Sequence, residues 1–557
     1  MESLPLGPQY REAALRRLAD TEFDVLVVGG GIVGAGAALD AVSRGLSVAL
    51  VEARDWASGT SSRSSKLVHG GLRYLEQRDF GLVREALRER ALLLTRLAPH
   101  LVRPVPFLYP LRHRLWERCY VGAGVTLYDS IGGSRVMPRH RQLTRGAALR
   151  EAPGLRPDAL VGAIQYYDAQ VDDARYTMTV ARTAAHYGAC VATRTEATGF
   201  LREGERVTGA AVLDTESGME IAVRARRVVN ATGVWTDDAG RMAGTRTSFS
   251  VRASKGVHLL VRRDRIHLNT GLIARTARSV LFVIPWGRHW IIGTTDTPWE
   301  QGPDGPTADA ADVGYLLEQV NGLLRTPLER EDVEGVYAGL RPLLSGEADD
   351  TTRLSREHTV AEPVPGLVVV TGGKFTTYRV MAQDAVDVAV EGLEGTVPPS
   401  VTARLPVLGA VGFEVLWNER RHLAADSGLH VARVEHLLKR YGSCVPEVLA
   451  LIARDASLGE PVPGAEDYLR AEAVYAVTHE GALHLEDVLA RRTRIAMEER
   501  DAGLAAAYHV AELMAPHLGW DDTAVFAESE RYIRYVQSER GDDDLAAGDP
   551  AACPAPA

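Results

Sequence analysis

One stretch near the N-terminus, Phe23–Glu52, restricts the fold of this chain more than any other. It starts with a short apolar run, Phe23–Val28, whose β-branched residues are typical of a buried parallel strand. Three glycines follow in the spacing G-x-G-x-x-G, then a helix of small residues, and then a second apolar run, Leu46–Val51, that leads into Glu52. This order of strand, glycine turn, helix, strand and acid predicts a βαβ unit that binds a dinucleotide.

Each glycine of this turn has a distinct physical task. Gly29 lets the chain turn sharply, Gly31 removes a side chain where a pyrophosphate touches the backbone, and Gly34 lets the helix pack closely on the strand. The helix N-terminus presents unpaired N–H groups to the phosphates. Glu52 lies about 20 residues past the glycines, where a carboxylate can bind ribose hydroxyls. A glycine-rich turn in an ordinary α/β domain would explain neither the spacing nor the acid.

Three later segments are predicted to return the chain to the same ligand. Asp55–Ser65 is dense in Ser, Thr and Gly and directly follows the ribose-binding strand, so it is expected to wrap the cofactor, with a flexible surface loop as the alternative. The segments Cys190–Thr195, Arg206–Asp214 and Met219–Val223 are expected to form a β-meander, and the separate apolar strand Arg227–Thr232 that follows ends at a glycine. The buried strand Gly366–Gly373 ends at a glycine pair and precedes a helix. This is the same order of strand, glycines and helix N-terminus as in the first phosphate turn. The cofactor-binding candidates in these segments are Ser61, Ser62, Ser65, Gly233 and Gly373.

Composition and charge exclude several classes of protein. A chain of 557 residues is expected to form about two or three domains. The net charge of −10 argues against a general nucleic-acid binder. The four cysteines are far apart and form no C-x-x-C pair, so neither a metal site nor a disulfide framework is indicated. The charged first twenty residues resemble no cleavable signal, and no apolar run reaches the about 18 residues of a membrane span, so we expect a cytoplasmic protein.

The sequence pattern divides the chain into a discontinuous cofactor domain, an inserted α+β domain with an antiparallel sheet, and a helical C-terminal domain. The helical part begins after Pro398, where the amino-acid composition changes and becomes rich in Ala, Leu, Glu and Arg. The expected boundaries are an N-terminal arm at 1–21, a cofactor domain at 22–105, 166–250 and 345–395, a substrate domain at 106–165 and 251–344, a helical domain at 400–540, and a disordered tail at 541–557.

One segment, Phe107–Tyr120, combines basic and aromatic side chains. Segments of this composition can lie at a membrane interface. A partly exposed edge of the second domain would have the same composition, and the sequence leaves both interpretations open.

Several motifs, in order along nearly the whole chain, resemble the FAD-dependent glycerol-3-phosphate dehydrogenases, within the glutathione-reductase-like and D-amino-acid-oxidase-like flavoproteins. The HGGLRYLE and GGKFTTYR motifs are the specific ones, because flavoprotein oxidases in general share only the first glycine turn. The matching motifs are GGGIVGAG (Gly29–Gly36), SSKLVHGGLRYLE (Ser64–Glu76), VDDAR (Val171–Arg175), KGVHLLV (Lys255–Val261), FVIPW (Phe282–Trp286), IIGTTD (Ile291–Asp296), GLRPL (Gly339–Leu343) and GGKFTTYR (Gly372–Arg379).

The resemblance implies an α/β fold with an FAD-binding Rossmann domain, and non-covalent FAD rather than NAD. It implies oxidation of sn-glycerol 3-phosphate to dihydroxyacetone phosphate, with electrons passed to a membrane quinone. The enzyme would then be peripheral on the inner face of the cytoplasmic membrane. Within the motifs, we also expect cofactor contacts at Gly71 and Thr376. The oligomeric state stays open, with a homodimer as one option.

A phosphorylated polyol requires cations for its phosphate. Arg suits phosphate best, because its planar guanidinium can donate two parallel hydrogen bonds to phosphate oxygens. Four cations lie inside or near the matching motifs, with glycine-rich or apolar residues on either side. Surface charges without a functional role are seldom found between such residues. They are Arg73, Arg341, Arg356 and Lys374, and Tyr74 can add a hydroxyl donor.

Oxidation of a secondary alcohol also requires a base for the hydroxyl proton, and His has the most suitable pKa. His258, in an apolar strand, is the first candidate and His69 is the second. A histidine in such a strand is more often a satisfied core residue, and the family resemblance is what favours His258. Arg341 could stabilise a developing alkoxide by its charge. The sequence does not divide proton abstraction and alkoxide stabilisation among His258, Arg341 and Lys374.

Three other functions compete with a quinone-linked dehydrogenase. The closest is a glycerol-3-phosphate oxidase that passes electrons to O2 and releases H2O2. An amine or amino-acid oxidase of the same fold would require a carboxylate clamp and would not need four cations. A non-catalytic flavin-binding sensor or scaffold would hold FAD that substrate does not reduce.

Overall fold

The computed structural model describes residues 3–71, 80–113, 116–132, 137–244, 251–276, 280–344 and 358–540. Three predicted substrate contacts, Arg73, Tyr74 and Arg356, lie outside the described residues. The predicted disordered tail at 541–557 also lies outside them.

The strands of the described residues form two large sheets and one small hairpin. In chain order they are β1 (Glu22–Val28), β2 (Val48–Val51), β3 (Leu67–Val68), β4 (Val102–Leu111), β5 (Arg141–Thr144), β6 (Gly162–Val171), β7 (Cys190–Ala192), β8 (Thr195–Glu203), β9 (Arg206–Asp214), β10 (Met219–Asn230), β11 (Val251–Arg262), β12 (Gly271–Arg275), β13 (Val280–Trp286), β14 (His289–Gly293), β15 (Thr297–Trp299), β16 (Val333–Leu344), β17 (His358–Val364), β18 (Leu367–Gly372), β19 (Pro461–Val462) and β20 (Ala465–Leu469).

The α-helices of the described residues cover the first sheet and build the C-terminal region. In chain order they are α1 (Pro8–Asp20), α2 (Ile32–Ser43), α3 (Phe80–Leu92), α4 (Trp116–Gly132), α5 (Arg145–Glu151), α6 (Asp173–His186), α7 (Thr236–Met242), α8 (Ala310–Asn321), α9 (Tyr378–Val390), α10 (Phe413–Asn418), α11 (Arg420–Ser427), α12 (Val431–Tyr441), α13 (Val445–Arg454), α14 (Arg470–Thr478), α15 (Ile495–Glu498), α16 (Leu504–Leu518) and α17 (Asp522–Arg540).

The first sheet is the predicted Rossmann sheet. Strand β1 lies parallel to both β2 and β10, and β18 and β7 extend the parallel part on either side. Helix α2 packs against α6 and α9, and these helices bury the small and β-branched side chains of one sheet face. A parallel sheet needs such cover because its strands are apolar on both faces. The carboxyl ends of β1, β10 and β18 therefore meet at one edge, where each is followed by a glycine-containing turn.

The long strand Met219–Asn230 differs from the sequence expectation, which divided it into one strand of a meander and one buried strand. Its first part alternates exposed and buried residues and pairs antiparallel with β9, whereas its last four residues, Arg227–Asn230, are all buried and pair parallel with β1. Cys190–Ala192, predicted to begin the meander, instead pairs parallel with β2. The meander therefore consists of β8, β9 and the first half of β10.

The second sheet is antiparallel except for one short pairing, in which Gly271–Leu272 runs parallel to Phe107–Leu108. Its longest pairing joins β11 to β16 over most of their length. Strands Val102–Leu111 and Gly162–Val171 belong to this sheet and cross the expected boundaries at 105/106 and 165/166. The division of the chain into domains at those residues stays a prediction.

The C-terminal region from Phe413 to Arg540 is helical apart from the hairpin β19–β20. Buried ion pairs join it to the first half of the chain. The carboxylate of Asp55 binds Arg491 and Arg492 at 2.6 Å, and Arg175 binds Glu480. These side chains are at most 6% exposed, so each ion depends on its partner because burial removes it from bulk solvent.

Candidate functional site

A cavity of about 940 Å³ extends from the glycine turn after β1 to the face formed by β11 and β16. The structure brings most of the predicted site residues to this cavity, from segments that are far apart in the sequence. The predicted residues that line it are Gly29, Gly31, Glu52, Ser61, Ser65, His69, Gly71, Gly233, His258, Arg341, Gly373, Lys374 and Thr376. Gly34 and Ser62 are described residues that do not line it.

The first glycine turn has the geometry that its spacing predicts. Gly29 has a φ of +107°, and a side chain there would meet the carbonyl of Ala231. A Cβ on Gly34 would lie 1.9 Å from the carbonyl oxygen of Gly29, so only glycine lets the helix approach the turn. Gly31 differs, because a Cβ there would meet only the Ser61 hydroxyl, at 3.2 Å. The space beside Gly31 is therefore open to the cavity.

The carboxylate of Glu52 reaches back to the same turn. It accepts hydrogen bonds from Gly30 N at 2.5 Å and from Arg54 N at 2.9 Å. Burial raises its pKa, while these two backbone donors lower it. The acid thus fixes the turn in addition to facing the cavity, and its contact with a ribose stays a prediction.

The three serine candidates of the Asp55–Ser65 segment lie in different environments. The Ser61 hydroxyl accepts a hydrogen bond from Ile32 N at 2.9 Å and so satisfies the first turn of α2. The Ser62 hydroxyl donates to the carbonyl of Gly59, 3.4 Å away within its own turn, and its contact with the cofactor stays a prediction. The Ser65 hydroxyl lies 2.8 Å from Nε2 of His258 and so contacts the candidate base.

Two of the candidate catalytic residues, His258 and Arg341, lie on the cavity-facing side of two paired strands. His258 of β11 is opposite Tyr337 of β16, and Ser254 is opposite Arg341. Side chains two residues apart on a strand share a face, so these four point the same way. The rings of His258 and Tyr337 stack with centroids 4.7 Å apart.

Two glycines, not identified from the sequence, make room for these side chains. A Cβ on Gly293 would lie 2.3 Å from Cδ2 of His258, and one on Gly256 would lie 2.4 Å from Nη2 of Arg341. Both glycines occur inside motifs quoted above, IIGTTD and KGVHLLV, but their role depends on neighbours in other strands.

His258 is buried and neutral at physiological pH. Burial, followed by the charges of Arg341 and Lys66, holds its pKa well below the ordinary histidine value. Its Nδ1 has no hydrogen-bond partner among the residues that the structure describes. An uncharged imidazole beside a cavity is chemically suited to accept a proton.

Two of the predicted cations, Arg341 and Lys374, line the same cavity. Arg341 donates to the Thr294 hydroxyl at 2.9 Å and approaches the Asp296 carboxylate at 3.4 Å. Lys374 follows Gly373, which adopts a φ of +71° at the end of β18. The second base candidate, His69, also lines the cavity, and its backbone N–H donates to the Thr376 hydroxyl at 3.2 Å. Arg341 and Lys374 thus add positive charge to a lining that also carries the Asp296 carboxylate.

Comparison with known proteins identifies two family models in this chain. The model described as FAD dependent oxidoreductase matches residues 24–387, and the model described as C-terminal domain of alpha-glycerophosphate oxidase matches residues 400–525. The chain is 57% identical to glycerol-3-phosphate dehydrogenase 2 of Mycobacterium tuberculosis, over 96% of this chain and 91% of that protein. It is 38% identical to the mitochondrial glycerol-3-phosphate dehydrogenase of Mus musculus, over 96% and 76%.

Solved structures show the same architecture. The glycerol-3-phosphate dehydrogenase of Bacillus halodurans, complexed with FAD, aligns with a TM-score of 0.79 at 28% identity, over 96% of this chain and 98% of that one. The L-alpha-glycerophosphate oxidase of Mycoplasma pneumoniae, with FAD bound, aligns with a TM-score of 0.55 at 18% identity, over 70% and 99%, which shows the shared fold alone.

The residues of this chain fit an FAD. The open space at Gly31 adjoins the N-terminus of α2, where a pyrophosphate would bind, and the cavity continues to the buried histidine. The predicted fold class and cofactor are thus confirmed, and the chain belongs to the family of FAD-dependent glycerol-3-phosphate dehydrogenases.

Proposed function

We propose that this enzyme oxidises sn-glycerol 3-phosphate to dihydroxyacetone phosphate. The observation that carries the proposal is the neutral, buried His258 on the same cavity wall as Arg341, with Lys374 also lining the cavity. A base and positive charge along the same cavity match an alcohol that carries a phosphate. The names of the relatives support the same substrate.

In this mechanism, bound FAD supplies the acceptor for the hydride that leaves the alcohol carbon. His258 accepts the hydroxyl proton at Nε2, with the ring proton on Nδ1. The Ser65 hydroxyl already lies 2.8 Å from Nε2, which shows that an alcohol oxygen can approach this atom at hydrogen-bonding distance. Arg341 and Lys374 supply positive charge for the phosphate and for the developing alkoxide. Arg73, Tyr74 and Arg356, which lie outside the described residues, stay predicted substrate contacts because of their places in or near the family motifs.

The test of this proposal is anaerobic reduction of the bound flavin. Glycerol 3-phosphate should bleach the flavin absorbance of the purified enzyme within one turnover. A flavin that stays oxidised under these conditions would identify a binding protein, such as a sensor, in place of a dehydrogenase.

Substrate charge gives a quantitative prediction. Glycerol has no phosphate dianion, so it cannot make the charge-assisted hydrogen bonds, which contribute about 1.5–3 kcal/mol each. We expect its kcat/KM to be lower by at least about tenfold for each such hydrogen bond that the phosphate makes. Steady-state assays of both alcohols with an artificial acceptor measure this ratio, and equal kcat/KM values would contradict the phosphate site.

We further propose a membrane quinone as the electron acceptor, with O2 as the alternative that an oxidase would use. Oxygen uptake separates the two. Purified enzyme with glycerol 3-phosphate should consume little oxygen until a quinone analogue is added, and then only the quinone should be reduced. Rapid uptake with release of H2O2 in the absence of quinone would identify an oxidase.

A quinone acceptor requires contact with a membrane, and we propose peripheral attachment at its inner face. No helix among the described residues is long and apolar enough to cross a bilayer. The segment Phe107–Tyr120 leads into α4, where Trp116 is 62% exposed and Tyr120 is 53% exposed. Exposed aromatic rings beside basic residues suit the headgroup region of a bilayer.

The proposed contact predicts weaker vesicle binding when its charge is reversed. Each basic residue near an anionic surface contributes about 1 kcal/mol, so replacing Arg112, Arg114 and Arg118 by Glu should lower the partition coefficient by about a hundredfold or more. Cosedimentation with phosphatidylserine-containing vesicles measures it. The control is an equal charge reversal on the exposed face of the meander, by substitution of Arg202, Arg224 and Arg226. Equal effects in both variants would place the contact elsewhere, with the C-terminal helices next to be tested.

A further inference from the structure

The carboxylate of Asp173, at the start of α6, is completely buried and binds the segment that leads to the active site. Its Oδ2 accepts hydrogen bonds from the Ser64 backbone at 2.9 Å and from the Ser64 hydroxyl at 2.7 Å. Its Oδ1 accepts one from the Lys66 ammonium at 2.9 Å, and both side chains of this pair are 0% exposed. One carboxylate therefore fixes both neighbours of Ser65, whose hydroxyl contacts His258.

The segment around Ser65 is held in a conformation that it would not adopt alone. Lys66 has a φ of +56°, in the left-handed region that residues with a side chain seldom occupy. Such conformations persist where surrounding contacts determine them. Here the Lys66 ammonium donates hydrogen bonds to the Asp173 carboxylate and to the carbonyl of Ser62, 3.0 Å away.

A second series of contacts connects the Asp173 carboxylate to His258 through Tyr337. The Tyr337 hydroxyl donates to the carbonyl of Ser64 at 2.9 Å, and the Lys66 ammonium lies 4.9 Å from the centroid of the Tyr337 ring. The same ring stacks on His258. The plane of the imidazole and the position of its Nε2 are thus both set by residues that Asp173 holds.

Asp173 in turn is held by the C-terminal region. Arg494 forms an ion pair with Asp173 and donates to Oδ1 of Asp172 at 2.9 and 2.6 Å. The Arg494 backbone N–H donates to the Tyr468 hydroxyl at 3.1 Å, so the arginine is fixed within its own region. Its guanidinium is buried and balances the charge of the two acids.

We propose that Asp173, fixed by Arg494, is a positioning residue for His258, so that the C-terminal helical region completes the active site of the N-terminal half. Neither residue lines the cavity, and both act through Ser64, Lys66 and Tyr337. This inference deepens the proposed function, because it rests on His258 as the proton acceptor.

The principal test compares two buried acids that lie at the same interface. Asp173→Asn keeps the size of the side chain and removes its charge. Glu480→Gln is the matched control, since Glu480 is equally buried and binds Arg175, two residues further along α6, without contact to Ser64 or Lys66. In a single anaerobic turnover, Asp173→Asn should slow flavin reduction at least tenfold. In steady-state assays, its KM for glycerol 3-phosphate should be little changed. Glu480→Gln should leave the rate at the parent value, whatever it does to thermal stability.

A spectroscopic measurement tests the position of the ring without turnover. Holoenzyme with 13Cε1-labelled histidine should show a His258 resonance, assigned by its absence from His258→Gln. This resonance should shift in Asp173→Asn and stay in place in Glu480→Gln. An unchanged resonance and an unchanged rate in Asp173→Asn would overturn the positioning role.

Milder variants decide the question should Asp173→Asn fail to fold. Tyr337→Phe keeps the ring and removes one hydrogen bond, and should slow flavin reduction about threefold to tenfold. Arg494→Lys should retain more of the parent rate than Arg494→Gln, since it keeps the charge. Parent rates in all three variants would also refute the proposal. If His258→Gln itself reduces flavin at the parent rate, the proton-acceptor assignment fails, and the resonance still reports whether Asp173 positions the ring.

Discussion

Replacement of His258 by Gln is expected to slow flavin reduction about 10²–10⁴-fold, the contribution typical of a general base. Glutamine has a similar length and a hydrogen-bonding end that can still reach the Ser65 hydroxyl, so the FAD content should be retained. The rate is measured by anaerobic stopped-flow absorbance in a single turnover, which separates flavin reduction from the later transfer of electrons to the acceptor.

The pH dependence provides the accompanying control. The neutral imidazole is the active form, so the rate falls as the pH drops through the pKa of His258. Burial, Arg341 and Lys66 lower that pKa, which places the acid limb of kcat/KM for the parent enzyme below pH 6.5. The limb should be absent from His258→Gln. A variant with the parent rate and the same acid limb would shift the role to His69 or Lys374.

Replacement of Gly31 by Val is expected to abolish FAD retention while the protein still folds. A Cβ at this position meets only the Ser61 hydroxyl, at 3.2 Å, so one hydroxyl must shift by a few tenths of an ångström and no backbone atom blocks it. The same side chain would occupy the space that a pyrophosphate requires beside the helix N-terminus. The purified variant should be colourless with a parent-like circular dichroism spectrum, and a yellow variant would contradict the placement of the phosphates.

Two further glycine substitutions separate cofactor loss from a folding defect. Gly199→Val adds the same side chain in the meander, where a Cβ meets nothing within 4 Å, and should retain FAD. Gly34→Val should disrupt the fold itself, because its Cβ would lie 1.9 Å from the Gly29 carbonyl oxygen. Loss of FAD from Gly199→Val would show that FAD retention reports general instability and not the phosphate site.

The sequence is informative wherever structure depends on neighbours along the chain. The strand, glycine turn and helix of Phe23–Ser43 were predictable because their periodicity and glycine spacing are local. The strand Met219–Asn230 was predicted as two, since its pattern changes from alternating to continuous burial when its partner changes. That change depends on strands β9 and β1, which the local sequence does not contain.

Contacts between distant segments explain most of what the sequence did not show at the site. Local rules place both acids of the VDDAR motif at a helix start, where the helix dipole favours negative charge. Asp172 does cap α6, accepting from Arg175 N at 3.2 Å, but Asp173 binds Ser64 and Lys66, over 100 positions earlier in the chain. The need for glycine at Gly293 likewise follows from a histidine on a neighbouring strand. No spacing rule within one segment contains such information.

The ion pairs that attach the C-terminal region also determine when the site can form during protein synthesis. Asp55 and Arg491 are 436 positions apart, and Asp173 and Arg494 are 321 apart. A ribosome releases the acids long before their arginines, so the nascent N-terminal half carries carboxylates whose burial is unfavourable until the chain is nearly complete. We therefore expect the flavin site to close only after the segment Arg491–Arg494 has been synthesised, so a chain truncated before this segment should not form a closed site.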